Sequence, residues 1–175
     1  MKGMVREAIG RALSQLVAED GCLFECPVEQ DFGYDARKLH EVCINHRFAN
    51  HLESEMIPLF PANKRMFVDI EFNREGKSFK ETEIDAEVQL VRPDIIVHNR
   101  KSGQEKVNFL VAECKKEDAD KEKINQDAKK IRALMEDEKY EYSFGLQVLY
   151  GSPSVRAFLF AKGIEGIECE EINNG

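Results

Sequence analysis

RPDIIVHNRKSGQEKVNFLVAECKK, residues 92–116, decides how this chain is read. Its apolar runs, IIV at 95–97 and FLVA at 109–112, have the branched and bulky composition of buried strands. Each run is joined directly to charge, because Asp94 precedes the first while Glu113 and Lys115 follow the second. The intervening NRKSGQE is turn-like, so the two strands are expected to form an antiparallel hairpin. Alternation along the second strand puts Glu113 and Lys115 on one face and leaves Cys114 as a core residue on the other. If Asn99 pairs with Asn108, Asp94 faces Glu113 across the hairpin. Two carboxylates so placed repel unless positive charge lies between them. Mg²⁺ suits that gap, since it takes one or two carboxylates and completes its shell with water and phosphate oxygens. Lys115 beside such an ion can orient or deprotonate a water and stabilise negative charge on phosphorus, with its pKa expected to fall through partial burial and the nearby cation.

Upstream of the hairpin, Met4, Val5, Ile9, Leu13, Leu16 and Val17 recur at helical spacing and Asp20-Gly21 supplies a stop. CLFECPV, residues 22–28, reads as an edge strand or loop. A second helix is expected from an Asp35 cap, with Leu39, Val42, Ala49, Leu52 and Met56 as its stripe and Pro58 and Pro61 ending it. MFVDIEFN, residues 66–73, is a strand with Met66, Val68, Ile70 and Phe72 on one face, and Arg74-Glu75-Gly76 is its turn. KSFKETEIDAE is a charged excursion leading to a strand VQLVRPDIIVH. Beyond the hairpin, Ile124, Ala128, Ile131, Leu134 and Met135 mark a third helix, and SFGLQVLYG and RAFLFAKG are two further strands. The expected fold is therefore mixed α/β, a mixed central sheet flanked by helices.

At 175 residues the chain is read as one domain: an N-terminal helix and edge segment over 1–34, a core over 35–162, and an acidic tail over 163–175. The hydrophobic fraction of 42%, the charged fraction of 33% and the absence of a long apolar run point to a globular chain without a membrane span. The N-terminal apolar residues are interrupted by Arg6, Glu7 and Arg11, unlike a signal peptide, so a cytoplasmic location is expected. The five cysteines are scattered and read as reduced thiols; Cys22 and Cys26 could begin a zinc site, but no second pair completes it. A net charge of −8 argues against nonspecific coating of nucleic acid, although basic residues populate the middle of the chain.

Pro93-Asp94 followed after residues 95–112 by Glu113-Cys114-Lys115 resembles the PD-(D/E)XK signature of the restriction-endonuclease-like nuclease superfamily. The order α-β-β-β-α-β is similar to that superfamily's core. HEVCINHRFANHLE with VDIEFNREG further resembles small uncharacterised bacterial members, and the resemblance spans Leu39 to Leu149. It implies a Mg²⁺-dependent, or Mn²⁺-dependent, phosphodiester hydrolase, an endonuclease or exonuclease. Asp94, Glu113 and the carbonyl of Cys114 would bind the metal. Glu41, preferred over Glu53, would ligate it directly or through water, and Lys115 would serve the attacking water. His46, Arg47, Asn73 and Arg74 would support the site or contact phosphate, as would Lys129, Lys130 and Arg132 on the third helix. DNA is the expected partner, with RNA less favoured. A homodimer and a protein partner supplying specificity are both compatible with this reading. The alternative is a catalytically inactive module of the same fold that binds nucleic acid or a protein.

Overall fold

The computed structural model describes residues 1–24, 41–75, 78–101, 103–151 and 154–172. The Asp35 cap, Cys26 and most of the 22–28 edge segment, and the Gly76 turn lie outside the described residues.

Helix α1 runs Lys2–Asp20 and buries Val5, Ala8, Ile9, Ala12, Leu13 and Leu16. Met4, assigned to that stripe from spacing, is half exposed, and the small residues Ala8 and Ala12 take the core side instead. Helix α2, Glu41–Met56, packs against α1 through Ile44, Phe48, Ala49, Leu52 and Met56. The i, i+4 series from Ile44 to Met56 replaces Val42 in the expected stripe. Asp20 ties the two helices, accepting from Arg47 Nε at 2.7 Å and meeting His51 Nε2 at 2.8 Å.

Strand β1 is Phe67–Ile70. Val68 and Ile70 face the core beneath α1 and α2, but Phe72 packs on the opposite side of the sheet. Glu71 sits at φ 51°, and this left-handed step ends the alternation expected through Phe72. Arg74 and Glu75, expected in a turn, form strand β2, which pairs antiparallel with β3 (Ser78–Phe79). The charged excursion then folds β4 (Glu81–Ile84) into a small hairpin with β5 (Glu87–Leu90) rather than a loop. Asp85 and Ala86, at φ 52° and 65°, give the β4–β5 turn the positive dihedrals that tight hairpins favour. The expected strand VQLVRPDIIVH is consequently split. Pro93, which lacks an N–H for a ladder, lies between β5 and β6 (Ile95–His98).

Strand β7, Asn108–Lys116, is the centre of a six-stranded mixed sheet of order β1-β6-β7-β8-β9-β10. It pairs antiparallel with β6 and parallel with β8 (Phe144–Tyr150), and α3 (Lys121–Glu136) makes the crossover. Asp120 caps α3 by accepting from Glu122 N at 2.9 Å. Strands β9 (Arg156–Lys162) and β10 (Ile167–Ile172) extend the sheet antiparallel. Within the segment 163–175 expected as an acidic tail, Ile167–Ile172 forms strand β10. Its glutamates occupy a strand edge, where Lys2 lies 3.5 Å from Glu168 and 3.2 Å from Glu170, while Ile172 is buried.

Helices α1 and α2 cover one face of the sheet, and α3 with the β4–β5 hairpin covers the other. Both faces of β7 are therefore buried, which accounts for its continuous apolar run. No helix among the described residues is long and apolar enough to cross a membrane.

Candidate functional site

The β6–β7 ladder pairs Ile95 with Ala112, Ile96 with Val111 and Val97 with Leu110. Extended by one step, it places Asp94 opposite Glu113, the register expected at this end. The closure differs at the other end. A bulge shifts His98 onto Asn108, and Asn99 N donates to Val107 O at 3.1 Å, so Asn99 does not meet Asn108. The inserted residue lets Phe109 and Leu110 both join the core beneath α1 and α2.

At the C-terminal end of β7, burial gives way to partial exposure at Lys115 and Lys116. Asp94 Oδ2 accepts from the backbone N–H of Cys114 at 2.8 Å, which fixes the aspartate across the strand gap. Glu41, the first residue of α2, accepts from Lys116 N at 3.1 Å and brings its other oxygen to 3.8 Å from Lys115 Nζ. Glu53, the other helix-borne acid considered, contributes to the field at Arg100 instead. Cys114 is wholly buried on the α1–α2 face, as alternation requires, and its carbonyl lies 3.5 Å from Lys115 Nζ.

Helix α3 contributes two groups from above. Asp127 brings Oδ2 to 3.5 Å from Lys115 Nζ, and Lys130 Nζ donates to Glu113 Oε2 at 2.6 Å. Asp127 was not singled out from sequence. The available signal was its place on the apolar stripe, four residues before Ile131 and seven before Leu134, where an acid is anomalous on a buried helix face. Lys130, expected on phosphate, instead neutralises Glu113.

The electrostatics follow from burial of like charges. Glu113 is 1% exposed, and burial pushes its pKa up to about 8, with Lys130 pulling it down and Asp94 adding to the rise. Burial also raises Asp94 and Asp127, against the lowering effects of Lys115 and Lys130. Lys115 does not show the expected fall. Burial does act to lower it, but Asp127, Asp94, Glu41 and Glu113 outweigh that effect and hold it above the usual lysine value. Four carboxylates and two ammonium groups are linked at this end of β7, so acids outnumber bases there. Among the described residues, Glu113 Oε1 is buried without a hydrogen-bond partner, whereas the buried Asp127 Oδ2 has the Lys115 ammonium at 3.5 Å.

The donor atoms are oxygens, the type a hard divalent cation takes, and Glu113 Oε1 is buried and unpartnered among the described residues. The present arrangement is nevertheless closed by lysines. Among the described residues, no three His, Cys, Asp or Glu side chains are gathered to hold a metal.

Of the remaining candidates, all but His46 have partners elsewhere among the described residues. His46 is exposed on α2, and Arg47 is committed to Asp20 on α1. Asn73 O accepts from Lys80 N at 2.8 Å, and Arg74 lies over the Phe79 ring, 4.6 Å from its centroid. Lys129 pairs with Asp85 at 2.7 Å, while Arg132 donates to Ile167 O at 3.0 Å. Compared with known proteins, the chain matches no family model, no curated protein and no solved structure.

Proposed function

We propose that the chain is a cytoplasmic, metal-dependent nuclease that hydrolyses phosphodiester bonds in DNA, using a restriction-endonuclease-like core. The observation that carries this reading is that carboxylates from α2, the start of β6, β7 and α3 are tied through Lys115, Lys130 and the β7 backbone at one end of that strand, with the fully buried Glu113 Oε1 left unpartnered among the described residues. Asp94, Glu113 and the Cys114 carbonyl would hold Mg²⁺ or Mn²⁺, with Glu41 reaching it directly or through water. Bound there, the ion would polarise the phosphoryl oxygens and lower the pKa of a coordinated water.

Lys115 serves this chemistry as a cation rather than as a base. Its neighbouring acids keep it protonated, so it positions water and stabilises the charge that develops on phosphorus. Asp127 and Glu41 hold that ammonium from two sides, which limits its travel. Water oxygen would bond to phosphorus as the ester P–O bond breaks, the attacking water's proton passing to bulk water and the departing sugar oxygen taking a proton from bulk water.

A second reading, an inactive module that binds nucleic acid or a protein, is favoured by the Lys130–Glu113 pair that closes the site. Cleavage of circular and linear DNA, and of RNA, with Mg²⁺ or Mn²⁺ separates the readings. A nuclease cuts, and Lys115→Ala loses most of that activity while still binding. Equal binding without cutting by both proteins refutes the nuclease and supports the module.

A further inference from the structure

Lys130 occupies the position at Glu113 that a bound cation would need. Its ammonium lies 2.6 Å from Oε2. Glu113 is 1% exposed whereas the Lys130 side chain is 19% exposed, so the lysine reaches inward from a helix surface to an acid that cannot move. Glu113 is fixed in the middle of a six-stranded sheet, between β6 and β8. A lysine stem has four rotatable carbon bonds and an outward route to water. Lys130 is therefore the mobile member of the pair.

We propose that Lys130 is a built-in placeholder: it neutralises Glu113 in the metal-free chain, and a divalent ion gains that carboxylate only by displacing the lysine. This rests on the metal-dependent reading above and adds a regulatory step to it. The displaced ammonium stays on the site's rim, where Asp127 lies three residues away on the same helix and a substrate phosphate can accept from it. The placeholder also explains how so acidic a cluster survives without metal. A buried acid bereft of any counter-charge would be far more costly than one held by a lysine. The consequence is a trade-off, with metal affinity given up for stability of the empty site.

The test is Mn²⁺ binding to the full chain at pH 9, where protons compete least for carboxylates, measured by calorimetry and by the electron paramagnetic resonance of free Mn²⁺. Lys130→Met removes the charge. Lys130→Gln removes it while leaving a donor for Oε2, and guards against a variant that fails to fold. Loss of a unit positive charge beside the ion should tighten Mn²⁺ binding about tenfold or more in the folded variants. Glu113→Gln should abolish that binding in the Lys130→Gln background. Folded variants that bind Mn²⁺ no better than the parent overturn the placeholder alone. If neither parent nor variants bind Mn²⁺ at all, the metal site falls as well.

Discussion

Gly145 sets the height of α3 above the sheet, and with it the position of both α3 groups in the site. It lies on β8 opposite Val111 of β7. A Cβ built there would overlap Ile131 Cγ2, approach Met135 Sδ to 2.9 Å and Phe160 Cβ to 3.2 Å. Carbon atoms at rest prefer roughly 3.5–4.0 Å. In Gly145→Ala, then, Ile131 must give by about 1 Å or more. Ile131 and Met135 are wholly buried, with no space to rotate into, so the helix itself has to rise. Overpacking of this kind costs about 1–3 kcal/mol. Ile131 is the residue next to Lys130 and four beyond Asp127, so the same displacement loosens the Lys130–Glu113 pair and the hold of Asp127 on Lys115. Urea denaturation should show the midpoint falling at unchanged slope. A crystal structure of the variant should show Lys130 Nζ withdrawn from Glu113. A loss below about 0.5 kcal/mol with the pair still at its native separation would refute the argument that backbone proximity at Gly145 governs the site.

Glu113 makes stability of the metal-free chain depend on pH. Its folded pKa is raised above its unfolded value, so its contribution is full below about 4.5 and is lost as pH rises toward about 8. Subtracting the pH–stability curve of Glu113→Gln from that of the parent should leave a downward slope across this window; a flat difference would show that the glutamate is not perturbed. Asp127→Asn removes one of four carboxylates and leaves both lysines still outnumbered. It should therefore cost less than about 1 kcal/mol of stability and, on the proposed nuclease reading, lower the cleavage rate about tenfold through the less restrained Lys115. Thermal melts and single-turnover cleavage check the two parts; a stability loss beyond about 3 kcal/mol would make Asp127 a structural residue.

The sequence by itself determined the two hairpin strands and the facing of Glu113, Lys115 and Cys114, because strand alternation is a local rule that apolar patterning writes into the chain. The Asp94–Glu113 register was reached only by assuming an Asn99–Asn108 closure that the bulge at His98 replaces. It also favoured Glu41 over Glu53. Other features depended on distance in space. Strand β10 was hidden because IECEEI looks solvated until the edge of β9 offers it a ladder, and the β4–β5 hairpin because its charged residues mask the tight turn at Asp85-Ala86. The partners of charge were the least legible of all. Lys130 and Asp127 lie in a helix crowded with acids and bases, where sequence assigns a solvated face; only the approach of α3 to β7 and β8, allowed by the missing side chain at Gly145, decides that these two reach the buried acid and the lysine. Periodicity fixes which way a side chain leaves its own element, whereas Coulombic pairing depends on what another element brings within a few ångströms, and that is a property of the packed chain.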